Sequence, residues 1–357
     1  MTGAGEKILI VGPSWVGDMM MAQTLFILLK QQNPDHELTV LAPAWTLPLL
    51  ARMPEVSNSM ELEFGHGQLA LGKRKAVGRS LRGQFDRAIV LPNSAKSALI
   101  PWHANIPLRT GWRGELRDWL FGLLNDCRRL DKQQYPLMVQ RFAALAFPAD
   151  SQPPTELFTK LPKPMLSVDR EHRDAAILEL QLNLEKPVLA LCPGAEFGDA
   201  KQWPAEHYAA LANSFLEKGW QVWLFGSGND RLVAEAILAD INTDRLKDVF
   251  NLAGATNLGQ AIDLLSCATA VVSNDSGLMH IAAALQKPIV ALYGSTSPDF
   301  TPPLAEHTEL LTSDIECRPC FKRVCPYGHR RCLTELGPER AVNAVEILSE
   351  EANQGHQ

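Results

Sequence analysis

The sequence predicts an α/β protein of two doubly wound, Rossmann-like domains facing each other across a cleft. Three observations lead there: short apolar runs alternate with helical stretches, the rhythm opens afresh near the middle of the chain, and a proline-bearing stretch separates the two halves. Lys7 to Val11 is an apolar run ending in Gly12-Pro13, as a buried parallel strand ends. A helix follows from about Gly17 to Gln31, with Met20, Leu25 and Leu28 among its apolar positions, then a strand over Glu37 to Ala42. Leu69 to Arg82 reads as a basic amphipathic helix and Arg87 to Leu91 as another strand. In the second half the strands are Val188 to Leu191, Gln221 to Phe225, Ala270 to Ser273 and Pro288 to Leu292, with a helix from about Ala205 to Glu217. Pro148, Pro153, Pro154, Pro162 and Pro164 mark the linker. The expected division is 1–165, 166–337 and a final amphipathic helix, 338–357, carrying Val342, Val345 and Leu348.

The composition narrows the function classes. With 357 residues, 46% hydrophobic and 21% charged, the chain can bury two full cores, and disorder is excluded as its main state. Apolar runs such as Ile8 to Val11 fall far short of the roughly 18 residues that span a bilayer. The N-terminus has no apolar signal region, which places the protein in the cytosol. Seven cysteines in this length do not make a disulfide scaffold. The net charge of −6 is unevenly shared: residues 1–165 hold 19 Lys and Arg against 14 Asp and Glu, and the rest of the chain is acidic. A basic half joined to an acidic half suggests that the first half meets an anionic partner.

Ligands of open α/β sheets bind at the carboxyl ends of the strands, and three motifs occupy such places. Gly12-Pro13-Ser14-Trp15-Val16-Gly17-Asp18 follows the first strand. Its glycines resemble a phosphate loop, but Asp18 stands where a lysine is needed, and a carboxylate there repels a triphosphate. Asp18 is either a helix cap or a general base held ionised at a helix start. Cys192 to Pro204 is a long glycine-bearing loop with Lys201 close to a helix start: a diphosphate-binding cation or a solvated surface lysine. Ser273 to His280 turns through Asp275, Ser276 and Gly277 into a helix, where free N–H groups can hold phosphate oxygens. Asp275 and Ser276 also suit a cap, and His280 suits a satisfied buried histidine. Three such loops in two similar domains favour a nucleotide-diphosphate site.

The order of motifs carries a resemblance. Val11-Gly12-Pro13-Ser14-Trp15-Val16-Gly17-Asp18, Leu91-Pro92-Asn93-Ser94, Arg109-Thr110-Gly111-Trp112-Arg113-Gly114, Cys192 to Gly198, Lys201-Gln202-Trp203-Pro204, Asn274 to His280 and Gly294-Ser295-Thr296-Ser297-Pro298 together resemble the ADP-heptose:lipopolysaccharide heptosyltransferases over nearly the whole chain. The likeness is nearest to the branch that adds the second heptose. It implies a B-type glycosyltransferase fold, an inverting transfer from ADP-heptose to the inner-core acceptor of lipopolysaccharide (lipid A-Kdo-heptose), and no cofactor or metal at the reacting site. By position, Asp18 matches the catalytic aspartate, Lys201 the diphosphate-binding lysine, and Asp275, Ser276, Gly277 and His280 the nucleotide-sugar loop. Asp275, which would repel phosphate, is expected to orient the helix turn or a sugar hydroxyl. Glu196 belongs to the donor loop, and Ser227 lies where relatives contact adenosine; a ribose-binding acid has no clear counterpart. The resemblance gives the basic half its partner: Lys73, Arg74, Lys75, Arg79 and Arg82, with Arg109, Arg113 and Arg117, are the expected contacts to a phosphorylated acceptor and to the anionic inner membrane, where the protein sits peripherally. No nucleic-acid partner is expected. The last helix is expected to cross back to the first domain.

Cys317, Cys320, Cys325 and Cys332, with His329 among them, fall in the spacing C-x₂-C-x₄-C-x₆-C. In a cytosolic chain this suggests zinc or an iron–sulfur cluster before disulfides, although the spacing is not that of a zinc ribbon; free thiols or an oxidised pair are the other readings. Cys127, Cys192 and Cys267 read as buried small residues. Two rival functions use the same two-domain shape: a sugar-nucleotide epimerase, which needs no second substrate, and a non-catalytic nucleotide-binding protein.

Overall fold

The computed structural model describes residues 4–63, 68–115, 117, 122–149 and 160–354. Most of the expected linker, Pro153 and Pro154 included, lies outside the described residues. The chain divides into two compact units, Met1–Pro164 and Met165–Gln357.

In the first unit β1 (Lys7–Val11), β2 (Glu37–Ala42), β3 (Asn58–Glu61), β4 (Arg87–Val90), β5 (Leu108–Trp112) and β6 (Asp126–Arg128) form one parallel sheet in the order β3-β2-β1-β4-β5-β6. Its main helices are α1 (Val16–Gln32), α2 (Leu71–Ser80), α3 (Ala95–His103) and α4 (Met138–Ala143). In the second, β7 (Val188–Cys192), β8 (Gln221–Leu224), β9 (Val249–Asn251), β10 (Ala270–Asn274), β11 (Ile289–Leu292) and β12 (Thr308–Leu311) repeat the plan as β12-β11-β10-β7-β8-β9. Helices α5 (Arg170–Glu179), α6 (Ala205–Glu217), α7 (Arg231–Ala239), α8 (Leu258–Leu265), α9 (Gly277–Ala284) and α10 (Pro338–Gln354) belong to it. In both sheets the winding reverses beside the first strand, between β1 and β4 and between β7 and β10. Loops leaving neighbouring strands there run to opposite faces and leave a crevice at the carboxyl edge.

The inner strands are apolar and buried on both faces, as parallel strands must be: Ile8, Leu9 and Ile10 are wholly buried, as are Leu189, Ala190 and Leu191. Strands β3, β5, β6, β9 and β12, which the apolar runs do not announce, lie toward the sheet edges; β3 is exposed or half-buried throughout. Helix α1, expected from about Gly17 to Gln31, is buried almost all round, from Met19 to Phe26 without a break.

The final helix is built into the second unit. Ala341, Ala344, Val345 and Leu348 of α10 share one core with Leu191, Val222, Leu224, Phe215 and Trp203, and Lys218, just past the end of α6, pairs with Glu346. The apolar stripe of this helix thus belongs to the second unit's core.

Leu224→Ala removes a wholly buried side chain from that core and should cost about 2–5 kcal/mol. Leu232, 79% exposed on α7, can be changed to Ala for less than about 0.5 kcal/mol. Denaturant midpoints of the two variants against the parent check the contrast.

Candidate active site

In the first unit the motif residues gather at the carboxyl edge of the sheet, around the reversal between β1 and β4. Gly12 follows β1 directly, and its N–H donates to Leu41 O at 2.9 Å. A Cβ there would stand 2.6 Å from the Met19 methyl, so glycine lets the turn lie against α1. Trp15 is the N-cap of α1, and Asp18 is its third residue, half-buried in the first turn. The cap reading of Asp18 is thus corrected: the carboxylate lies inside the first turn, where the unpaired N–H ends of the helix favour negative charge. The neighbouring loops are braced by Arg117. Wholly buried, its guanidinium donates to Pro92 O (2.7 Å), to Trp112 O and to the Asn93 side chain, tying the loop after β4 to the loop after β5.

The basic residues divide into two groups. Arg74 is 5% exposed, and its guanidinium donates to the carbonyls of Gln68, Leu69 and Lys96. Arg109 donates to Ile106 O, Gly122 O and Leu123 O. Burial draws both guanidinium pKa values below their ordinary value. Arg74 and Arg117 are buried and hold loops together, which corrects their expected place on an acceptor-binding face: buried donors must be paired, and carbonyls pair them here. Arg109 is half-buried and is likewise engaged with carbonyls. Lys73, Lys75, Arg79 and Arg82 remain exposed. The helix that carries the first three runs back toward the start of β4, so Arg79 and Arg82 stand at the sheet edge away from Gly12 and Asp18. His103 is their neighbour; burial first, then Lys75, Arg79 and Arg82, lower its pKa. Arg113 is exposed, and its backbone N–H donates to Arg128 O at 2.6 Å.

In the second unit the site lies at the matching reversal, between β7 and β10. Lys201, after β7, sends its ammonium to Asp275 Oδ2 at 2.6 Å and to the Asp275 carbonyl at 3.2 Å. Thr296, from the loop after β11, donates its hydroxyl to the same carboxylate oxygen at 2.6 Å. Asp275 is 4% exposed and the Lys201 side chain 13%, so the pair is largely withdrawn from water. This corrects the reading of Lys201 as a solvated surface lysine: it is held by Asp275, whose expected partners are the helix turn or a sugar hydroxyl. Asn274 fixes the two loops to each other. Its Nδ2 donates to Pro193 O at 2.7 Å, and its Oδ1 accepts from Trp203 N and from the Tyr208 hydroxyl, both at 3.1 Å.

Ser276 is the N-cap of α9, yet its hydroxyl makes no capping bond; Ser276 and Gly277 are half-buried at the edge of the site. His280 is 6% exposed behind them. Burial pushes its pKa down to about 4, against the pull of Asp275 and with the push of Lys201, so the ring is neutral at pH 7. It can offer one N–H to a ligand but no charge. Glu196 and Ser227 face one another across the loops after β7 and β8, with Ser227 Oγ 3.4 Å from Glu196 Oε1. The sequence gives no sign of Asp230, whose carboxylate accepts the Ser227 N–H at 2.7 Å and hydroxyl at 2.8 Å. A Cβ at Gly194 would lie 2.5 Å from this carboxylate and one at Gly226 2.7 Å from the Asp230 Cβ, so both glycines leave it room. Thr296 is legible in the sequence only as part of the Gly294 to Pro298 motif; its role comes from β11 lying next to β10.

Because His280 titrates near 4 in the fold and near 6.5 when unfolded, the unfolded chain binds the proton more readily between those values. Stability should therefore fall as pH drops from about 6.5 to about 4. His280→Gln should flatten part of this slope, read as the difference in urea midpoint between about pH 7 and about pH 4.5.

Residues 74–330 match the model of glycosyltransferase family 9 (heptosyltransferase). The chain is 47% identical to lipopolysaccharide heptosyltransferase 2 of Salmonella typhimurium, over 97% of this chain and 99% of that protein. It is equally similar, at 47%, to the Escherichia coli protein of the same name, over 97% of this chain and 100% of that one. The solved structure of Escherichia coli ADP-heptose LPS heptosyltransferase II superposes with a TM-score of 0.87 at 45% identity, covering 97% and 99% of the two chains. The chain belongs to glycosyltransferase family 9, the heptosyltransferases.

Proposed function

We propose that this transferase moves heptose from ADP-L-glycero-D-manno-heptose to the heptose/Kdo inner core of lipopolysaccharide, adding the second heptose with inversion at the anomeric carbon. The observation that carries the reading is the buried Lys201–Asp275 pair, braced by Thr296 at the second unit's strand reversal, in a chain alike end to end with proteins named for this reaction.

In this reading the diphosphate meets Lys201 and the first N–H groups of α9 at Ser276-Gly277, and Asp275 keeps the ammonium aimed at the site. Ser227 and Glu196 border the adenosine end, braced by Asp230. Asp18 accepts the proton of the attacking acceptor hydroxyl as its oxygen bonds to C1 of the heptose. The C1–oxygen bond to the β-phosphate breaks, ADP takes the electron pair, and its charge is met by Lys201 and the helix N–H groups. His280, being neutral, shapes the pocket and adds no charge.

The acceptor is anionic, and the exposed cations of α2 suit it. Lys73 and Lys75, toward the start of that helix, serve the acceptor. Arg79 and Arg82, at the far edge of the sheet, serve an anionic lipid surface at about 1 kcal/mol each. Among the described residues no helix is long and apolar enough to cross a membrane.

Mass spectrometry of the product from ADP-heptose and a one-heptose inner-core acceptor tests the reading: the acceptor should gain one heptose. Isomerisation of the donor without acceptor would point instead to an epimerase. Asp18→Asn should lower kcat by roughly 10²–10⁴ while ADP-heptose binding, followed by calorimetry, persists. Lys201→Met should weaken ADP binding about 10- to 100-fold, the size of a lost charge-assisted contact. Arg79→Glu with Arg82→Glu should reduce sedimentation with vesicles containing an anionic lipid, and added salt should do the same to the parent protein.

A further inference from the structure

Four thiols converge on one small cavity that the transfer reaction does not use. Cys317, Cys320, Cys325 and Cys332 line it together, with His329 at its side and Ala200 of the Lys201 loop opposite. All four are free thiols, and the other three act electrostatically on Cys332. Cys325 opens a tight turn: the Gly328 N–H donates to Cys325 O at 3.1 Å, and Gly328 adopts φ +73°, a backbone that glycine accepts without strain. That turn aims the N–H groups of Tyr327, Gly328, His329 and Arg330 at the Cys325 sulfur. His329 is otherwise engaged: its ring stacks on Tyr327 with centroids 5.6 Å apart, and its Nδ1 accepts the Arg331 N–H at 3.0 Å.

We propose that Cys317, Cys320, Cys325 and Cys332 together bind one zinc ion as a structural clip. Four sulfurs make a closed tetrahedral set that leaves no position for substrate. The ion displaces the four thiol protons to solvent, and the resulting double negative charge lies beside Arg318 and Arg330, which line the same cavity. Among the described residues no three candidate ligands already stand in a metal-binding group, so the thiols must turn into the cavity that they line.

The clip would hold a segment that buttresses the donor loops. The Arg323 carbonyl accepts the Ala200 N–H at 3.1 Å and would lie 2.3 Å from a Cβ at Gly198. The Phe321 N–H donates to Ser295 O at 2.7 Å, and Arg318 donates to Gly294 O at 3.3 Å and Thr296 O at 3.2 Å. Phe197 lies between Arg323 and Lys201, with the two cations 5.3 and 4.9 Å from its ring. Lys201 and Thr296 are thus both supported from the cysteine segment.

The test is elemental analysis of the untagged full-length protein, expressed with added zinc and dialysed against metal-free buffer. About one zinc per chain is expected, as for a closed Cys₄ site. Cys317→Ser and Cys325→Ser should lose it, and Cys127→Ser should keep it. If the serine variants do not fold, the parent protein decides: a zinc chelator should release the ion, expose four further thiols to a thiol reagent and lower the melting temperature. Cobalt(II) loaded in its place should show thiolate-to-cobalt charge transfer. Absence of stoichiometric metal, with thiols that titrate freely or masses that reveal disulfides, overturns the proposal, and so does metal retained in Cys325→Ser. Stoichiometric iron lost with the same substitutions would keep the site and overturn zinc as its occupant. Metal content is read without any transfer assay, so this outcome is independent of the proposed reaction.

Discussion

A parallel sheet can be closed only by crossovers, and this constraint governs where chemistry can occur in the molecule. Every crossover returns the chain to the same edge, so all loops leaving the strands collect at the carboxyl end. Where the winding reverses, two adjacent loops separate and backbone is left facing an opening. The chain makes that reversal twice, at β1/β4 and at β7/β10. Asp18 follows one and the Lys201 and Asp275 loops follow the other. Side chains from distant parts of the sequence, such as Lys201 and Asp275, meet because their strands are neighbours in the sheet.

The second reversal is stiffened by polar contacts that water does not reach. Asn274 uses both ends of its amide to join the loop after β10 to that after β7. With this junction made, the ammonium of Lys201 has a fixed, hydroxyl-braced carboxylate as its partner in place of solvent. A buried pair of this kind adds little net stability, because desolvation consumes most of the attraction. Its worth is in placement: a flexible four-carbon side chain is held in one position before a ligand arrives.

Much of this was legible in the sequence. The inner strands announce themselves because parallel strands buried on both faces must be continuously apolar. The loops after them announce themselves through glycines and charged residues that a core would reject. Edge strands such as β3 and β6 escape detection because their exposure removes the apolar signature. The arginines misled for a related reason. Charge in a sequence says nothing about which carbonyls lie within reach, and Arg74, Arg109 and Arg117 each found three. Asp230 and Thr296 were invisible as functional residues since their roles depend on which strand lies next to which.

The carboxylate already seated on Lys201 has a bearing on inhibitor design. At the proposed donor site, a diphosphate mimic recovers less from that ammonium than from a bare cation, since Asp275 shares its positive charge and will not leave so buried a position. Compounds that replace the two phosphates by an uncharged linker keep the existing contact and avoid stripping water from a polyanion. Their affinity would then come from the nucleoside and sugar ends, where shape decides more than charge.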